Sequence, residues 1–518
     1  VIMADEKLIR TVQSTFTLYG LVLSSVSLAK ELLNVEEGER KAWLTQIVEQ
    51  VLSQNLVDAH ITVENLKLAI KECIRPDTLQ DTETILSVIN AFDTPKIKHD
   101  LCKKKFLLTT VNPDLYPEAQ HKSSIFKDRF ELLWHRTLRH ELFTPPKIGE
   151  VKDNWIELVS IEYLLSESRK GSVYVMGLLT QLTEGQYYLE DTGGTIKVDL
   201  RGDGLIMEAS VVIAGGDFRD SVLHVEDIGF PPAQSSTNAR VDFGNANTFG
   251  GPHNMSLKFS EKLKNHEESN KDGMIVFLSE MWLDDVIVLR KFKTMLEGYS
   301  EFPPIAFVLF GHFLSFPANT TSAQKLKEGF KDLADLIMQY PDIKESSKFI
   351  FVPAPDDIGS PKILPRSPLP KHITEEFRKS IPGAIFTTNP CRIQYCTKEI
   401  VVVREDILTK MCRNTIHFPR EGNIYDHYAK SIISQSHLTP LSLSVIPVYW
   451  KYDHALQLHP TPDLIVVADK FEAYATTYSN CHIINPGLFP KNDHSFKVYV
   501  PALDIIEHCA IPKDMDGI

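Results

Sequence analysis

Hydrophobic positions change their spacing along this chain, and the changes divide it. From Ala4 to Cys73 they recur at helical intervals: LAKELL (Leu28 to Leu33), WLTQIVEQVL (Trp43 to Leu52) and VENLKLAI (Val63 to Ile70) each carry an apolar face. Thr62 suits an N-cap for the last run, and Gly20 and Gly38 are natural breaks. From Arg75 to Glu150 the pattern is irregular, with short candidates at Thr84 to Phe92 and Lys105 to Val111, until Ile125 to Phe143 gives a long amphipathic helix. Between Asp153 and Pro232 the period drops to two. WIELVSI, SVYVMGLL, QYYLE, TIKVDL, SVVIAG and VLHVEDIGF follow one another across turns such as Asp191-Thr192-Gly193-Gly194. Five or six short strands in this length predict a small Greek-key barrel of the OB-fold type.

Beyond Met255 the pattern becomes short apolar strands that lead through polar exit loops into helices. Met274 to Asp285 runs from an apolar strand through a polar exit into a helical pattern from Val286 to Leu296. Ile305 to Phe310, Phe349 to Pro353 and Leu464 to Ala468 repeat the strand. Phe386 to Asp406 reads as a hairpin, Leu441 to Trp450 as a further strand, and ILTKMCRN and IYDHYAKSIISQS as helices. Pro231 to Asn254, rich in Pro, Gly, Ser and Asn, reads as a linker or long surface loop. The expected class is a multidomain α+β protein. Residues 1–75 form a helical docking domain, 76–150 a linker with a helix, 151–232 an OB-fold and 233–518 a two-sheet α/β sandwich.

In open α/β sheets, ligands collect outside the carboxyl ends of the strands. Here the first exit offers Glu280 and Trp282, and the second Gly311, His312 and Ser315. The third offers Ala354, Pro355, Asp356 and Asp357, and the last Asp469 and Phe471. A two-metal phosphoesterase of the calcineurin-like class would need Asp, His and Asn at such places, in D-x-H, G-D-x-x-D, G-N-H-D and H-x-H motifs. Tryptophan, proline and phenylalanine cannot replace imidazole or amide ligands. The expectation is therefore no catalytic, cofactor-binding or metal residue, with Glu280, Trp282, His312, Pro355, Asp356, Asp357, Asp469 and Phe471 as degenerate positions. An active metallophosphoesterase with a rearranged site, built from Asp356, Asp357, His312 and Asp469, is the alternative.

Composition narrows the partners. A net charge of -13 argues against strong DNA binding by the chain alone and favours protein targets. Tyr187, Tyr188 and Phe218 could stack bases in the barrel, but acidic neighbours make packing the better reading. Lys103 to Lys105 read as a solvated face, and His135 and His140 sit five apart, off a common helical face. Asp58 and His60 form a chance D-x-H, and Gly244, Gly250 and Gly251 lack the G-K-[ST] of a phosphate loop. Seven widely spaced cysteines without C-x-x-C read as free thiols of a reducing compartment, cytosol or nucleus. No apolar run reaches the ~20 residues of a membrane span, and VIMADEKLIR does not suggest a secretory signal.

Several stretches then point together. ELFTPP (Glu141 to Pro146), YYLEDTGGTIKVDL, TTNPCRIQYCTKEIVVVRED, SQSHLTPL (Ser434 to Leu441) and Pro447 to Tyr474 resemble the B-subunits of replicative DNA polymerases, the polymerase epsilon branch in particular. The resemblance covers essentially the whole chain, and TTNPCRIQYC is its most specific part. It implies a calcineurin-like phosphodiesterase fold that has lost its catalysis. Carried over by position, the first Asp and His fall on Glu280 and Trp282, and the second-motif Asp on His312. G-N-H-D falls on Ala354, Pro355, Asp356 and Asp357, and the late H-x-H on Asp469 and Phe471. Only Asp357 and His437 keep a residue type able to bind metal. The resemblance further implies a nuclear complex in which the chain binds the cysteine-rich C-terminal domain of the polymerase epsilon catalytic subunit. It also implies a link to the replicative helicase through GINS by the helical domain, histone-fold subunits as companions, and at most weak or indirect contact with DNA.

Overall fold

The computed structural model describes residues 12–23, scattered positions between 44 and 69, and 85–512 apart from 101–104, 110–113, 147–153, 167–170, 201–203 and the single positions 242, 245, 254, 318 and 320. LAKELL, Gly38, Asp58, Cys73, Cys102, Lys103 and Lys104 lie outside the described residues. The chain forms two compact units, 1–84 with 244–246, and 85–243 with 247–512 of the described chain. In the first, residues 12–18 are helical, and Val22–Leu23 pairs in parallel with His60–Ile61. Val12, Phe16, Leu44, Ile47, Val48, Val51, Ile61 and Leu66 close a core there. Asn65 N donates to Thr62 Oγ1 at 3.3 Å, the N-cap bond expected of that threonine.

The second unit holds an OB-fold and an α/β sandwich. The barrel closes in the order Val211–Arg219, Val222–Gly229, Thr195–Asp199, Gln186–Glu190, Ser172–Thr183. Alternate residues, among them Val173, Val175, Ile196, Val198, Val212 and Ala214, fill its interior. Gly216 sits at a bulge where a β-carbon would lie 2.0 Å from His224 O, so only glycine fits. Asp191 Oδ1 accepts from Gly193 N and Gly194 N, while its Oδ2 accepts from Ile161 N. Tyr187 and Phe218 pack partly against the barrel core. WIELVSI contributes only an isolated bridge, Leu158 to Tyr174.

Two six-stranded sheets stack in the sandwich. One runs Ile385–Phe386, Lys348–Val352, Ala306–Phe310, Ile275–Ser279, Ser495–Val500, Ile505–Ala510. The other runs Tyr474–Tyr478, Cys481–Asn485, Leu464–Ala468, Lys398–Arg404, Cys391–Tyr395, Leu86–Asn90. Strand alternation decides the layers. Ile275, Phe277, Val308 and Ile350 face Ile393, Ile400, Val402 and Val466 between the sheets. Val276, Leu278, Phe307 and Phe351 face the outside, under helices Val286–Gly298, Ser322–Ile337 and Lys371–Ser380. Val401, Val403 and Ile465 likewise lie under helices Ile407–Asn414 and Ile424–Gln435. The result is a four-layer α/β/β/α sandwich.

Three expectations need correction. Leu86–Asn90, within a stretch read as linker, is an edge strand of the second sheet, paired antiparallel with Cys391–Tyr395. The stretch from Pro231 to Asn254 is not an exposed loop. Its helix Ser236–Val241 buries Arg240 against Glu399, and Arg392 donates to Thr248 O and Phe249 O. Asn247 organises the turn, accepting from Phe249 N and Gly250 N. Leu441 to Trp450 forms turns with a single bridge, Leu364 to Val448, because Pro447 cannot donate to a ladder. The helix Gln120–Thr137 and the Gln435 side chain, which clamps Val211 N and O at 2.8 and 2.7 Å, tie barrel to sandwich.

Candidate functional site

The strand exits meet around one guanidinium. Arg404 ends the apolar run of Lys398–Arg404 and is 1% exposed. Its backbone is held by Asn389, whose Oδ1 accepts from Arg404 N at 2.9 Å and whose Nδ2 donates to Arg404 O at 2.7 Å. From there Nε donates to Gly311 O at 2.8 Å and Nη1 to Ala468 O at 2.9 Å and to Asp406 Oδ1 at 3.1 Å. Nη2 reaches Glu280 Oε1. A buried cation is tolerated only when so completely paired. Burial disfavours the charged guanidinium, but Glu280 and Asp406 outweigh it and raise the Arg404 pKa.

Glu280 answers this charge. It has φ +62°, a left-handed conformation that a residue with a long side chain adopts at a cost of about 1–2 kcal/mol. That backbone turns the carboxylate inward, where His312 Nδ1 lies 2.7 Å from Oε1 and Trp282 Nε1 donates to Oε2 at 2.8 Å. Burial pushes the carboxyl up, yet His312, Arg404 and Trp282 together hold it well below the usual carboxylate range.

Asp357 is spent on backbone: its Oδ2 accepts from Ala354 N at 2.7 Å and its Oδ1 from Phe313 N at 3.1 Å. Gly311 must be glycine beside it, since a β-carbon would meet Asp357 Oδ2 at 1.9 Å. Burial pushes this carboxyl up. Arg366, also buried, donates to the carbonyls of Pro355, Asp357 and Ile358 and fixes the loop. Asp356 is more open, with Lys362 on Oδ1 and His312 Nε2 3.6 Å from Oδ2. Burial raises its carboxyl pKa, and Lys362 and His312 bring it below the ordinary value.

Asp469 Oδ1 accepts from Phe471 N at 2.8 Å and Asn485 Nδ2 at 2.7 Å. Burial pushes this carboxyl up to about 7. Phe471 packs edge-on to Tyr425, ring centroids 5.9 Å apart.

Glu280, Trp282, His312 and Asp356 thus line one cleft of about 550 Å3, shared with Lys362, Lys470 and Lys491. Pro355, Asp357, Asp469 and Phe471 are not among its lining residues. His437 is elsewhere, buried with Nε2 3.4 Å from Asp453 Oδ1. Among the described residues, no group of three or more His, Cys, Asp or Glu side chains could hold a metal ion. Arg404, Arg366, Asn389 and Asn485 are the organising residues that sequence reasoning missed. For Arg404 the one available signal is a charged residue ending the apolar run EIVVV.

Comparison with known proteins places this architecture. Residues 275–476 match the family model for the B-subunit of DNA polymerase alpha/epsilon. Residues 119–232 match the OB-fold domain of DNA polymerase epsilon subunit 2-like proteins, and 4–73 match the DNA polymerases epsilon N terminal. The first two are models of one class, the B-subunits of DNA polymerases, and the third is a DNA polymerase epsilon model too. DNA polymerase epsilon subunit 2 of Homo sapiens is 46% identical over 522 residues, covering 98% of this chain and 99% of its own. The protein of that name from Drosophila melanogaster is 38% identical over 98% of each chain, and the B-subunit of DNA polymerase epsilon from Arabidopsis thaliana 34% over 92% of each. The chain belongs to the DNA polymerase epsilon subunit 2 family. Among solved structures, a novel archaeal phosphodiesterase aligns with 46% of this chain and 98% of its own at 9% identity and a TM-score of 0.26, too slight a likeness to bear on chemistry.

Proposed function

We propose that this chain is a non-catalytic subunit that helps to assemble DNA polymerase epsilon, and that its phosphodiesterase-like site has lost its metals. The observation that carries this is the Arg404 guanidinium among the strand exits. It supplies the fixed positive charge that a two-metal enzyme takes from cations. Both Glu280 oxygens and both Asp357 oxygens already hold donors, so the residues present do not fit a pair of divalent ions. The same bonds weigh against a rearranged metal site using Asp356, Asp357, His312 and Asp469, because Asp469 too faces Asn485 and its own loop rather than the cleft.

In this reading the chain binds the cysteine-rich C-terminal domain of the catalytic subunit. Its N-terminal region links the enzyme to GINS and the replicative helicase, and histone-fold subunits share the complex. It works in the nucleus and meets DNA weakly or through its partners. The family membership supports these roles.

Two measurements on the full chain test the proposal. Fractionation of nuclear extract at moderate salt should show the chain co-eluting with a polymerase catalytic subunit. The purified chain, supplied with manganese, should bind no stoichiometric metal and hydrolyse no bis(p-nitrophenyl) phosphate. Metal at two ions per chain, with turnover abolished by Asp357→Ala, would overturn it.

A further inference from the structure

We infer that the cleft at the strand exits is a docking groove for an acidic segment of a partner protein, anchored by one large apolar side chain. This rests on the non-catalytic reading of the same cleft and adds an occupant to it. The walls and the rim differ in chemistry. Trp282, Leu314, Phe316 and Leu488 give an apolar wall, and Trp282 and Phe316 are only partly buried. The rim carries lysines from three separate exits: Lys362, Lys470 and Lys491. Lys362 and Lys470 are 72% and 51% exposed, and Lys491 Nζ stands 5.9 Å from the centre of the Trp282 ring. Lys325, which is not among the lining residues, lies over the Phe316 ring at 4.8 Å. Such a gathering is out of keeping with a chain of net charge -13.

The floor does not oppose an anion, because the Glu280 charge is met by Arg404 and His312. Two rim lysines already hold carboxylates of this chain, Lys362 with Asp356 and Lys470 with Asp406. Asp356 therefore marks where a ligand carboxylate would sit, between Lys362 and His312.

A phosphate ligand is less well served. Phosphate sites converge several donors, often backbone N–H groups, on one point. Here those groups are engaged by the exits' own carboxylates: Phe313 N and Ala354 N by Asp357, Ser315 N by Asp284, Lys470 N by Asp406 and Phe471 N by Asp469. Arg404 is buried and fully used. Cations spread around an apolar wall match an extended acidic peptide with one apolar side chain turned inward.

The test uses the full chain and a short fluorescein-labelled peptide of Asp and Glu with a central Phe, followed by anisotropy. Lys470→Glu with Lys491→Glu should weaken binding by about ten-fold or more, and Asp356→Asn, which removes the competing carboxylate, should tighten it by about three-fold. Lys264→Glu with Lys293→Glu, exposed lysines outside the cleft, should leave binding unchanged. Replacing the Phe by Ser should weaken binding, and the peptide should shift the emission of wild type but not of Trp282→Phe. Indifference to the rim substitutions overturns the inference. So does tighter binding of 5′-phosphorylated oligothymidylate through the same lysines, which would make the cleft a nucleotide site. A hydrolysis assay on the same sample separates the two readings. Turnover sinks the non-catalytic one whatever the peptide does, and no turnover with no rim-dependent binding sinks the docking groove alone.

Discussion

Arg404, Glu280 and His312 form one trio of arginine, carboxylate and histidine; Arg129, Asp453 and His437 form another of the same composition. In the second trio all three members are buried, and the arginine belongs to the helix Gln120–Thr137, outside the sandwich. Its guanidinium grips Asp453 through Nε at 3.0 Å and Nη2 at 2.5 Å, so the trio braces that helix onto the sandwich. The first trio lies at the carboxyl ends of the parallel strands, and its histidine opens onto a cleft. Identical chemistry therefore serves a seam in one place and the floor of a groove in the other. His437 keeps a residue type that could ligate metal, yet its surroundings give it a structural part; Glu280 and His312 occupy the exits, and their surroundings turn them toward each other.

The comparison breaks first at its arginines. Arg129→Met should cost about 3–5 kcal/mol in urea unfolding, because Asp453 is left buried with little counter-charge. Arg404→Met should cost at least as much, since Gly311 O and Ala468 O lose a donor as well, each worth about 1–3 kcal/mol. The double change Arg404→Met with Glu280→Met should recover much of that loss, as replacing a whole buried pair by apolar side chains often does. A cost for Arg404→Met below about 1 kcal/mol would show that the floor is not organised by this guanidinium.

The carboxylates sharpen the comparison through pH. Glu280 and Asp453 are held below the ordinary carboxylate range once the partners outweigh burial. Each therefore contributes stability that is present above about pH 4.5 and lost as pH falls below it. Asp469 runs the other way, because burial raises its pKa to about 7. Its contribution is full below about pH 4, where the unfolded carboxyl titrates, and is lost as pH rises through about 7. Stability should thus peak on the acid side of neutrality. Asp469→Asn keeps an oxygen for Phe471 N and Asn485 Nδ2 and removes the charge. It should gain on the order of 4 kcal/mol over wild type near pH 8, roughly 1–2 kcal/mol near pH 5 and nothing near pH 3, read from unfolding curves at each pH. Parallel pH profiles for the two proteins would refute the assignment.

How much of this was legible in the sequence follows from the range of each interaction. Barrel and sandwich strands announce themselves because alternation and apolar runs are local properties, and the helices Ile407–Asn414 and Ile424–Gln435 likewise. Leu86–Asn90 showed as a short candidate within Thr84 to Phe92, but its place in the sandwich did not, because that depends on Cys391–Tyr395, far along the chain. The stretch from Pro231 to Asn254 misled by composition, since Arg240, Asn247 and Phe249 outweigh the small polar residues around them. At the site, the residue types at each exit were readable one by one. That Glu280, Trp282, His312 and Asp356 share a cleft while Asp357, Asp469 and Phe471 stay out of it is a matter of side-chain direction, set by the left-handed Glu280 and by bonds to backbone N–H groups. Arg404 was invisible for the same reason: its partners come from three exits and become neighbours only when both sheets are stacked.

The smallest expected effect separates floor from rim. Lys362 is largely exposed, and its pair with Asp356 belongs to the surface class that contributes about 0–1 kcal/mol. Lys491 adds only a distant contact with the Trp282 ring. Lys362→Ala and Lys491→Ala should each change stability by less than about 1 kcal/mol, a few degrees at most in Tm, and salt should blur the first. The fold then has little need of lysines at these places, in contrast to Arg404 a few bonds away. A cost above about 1.5 kcal/mol for either would mean that the rim braces the exits as the floor does, and the division of this cleft into a structural base and a charged mouth would fall.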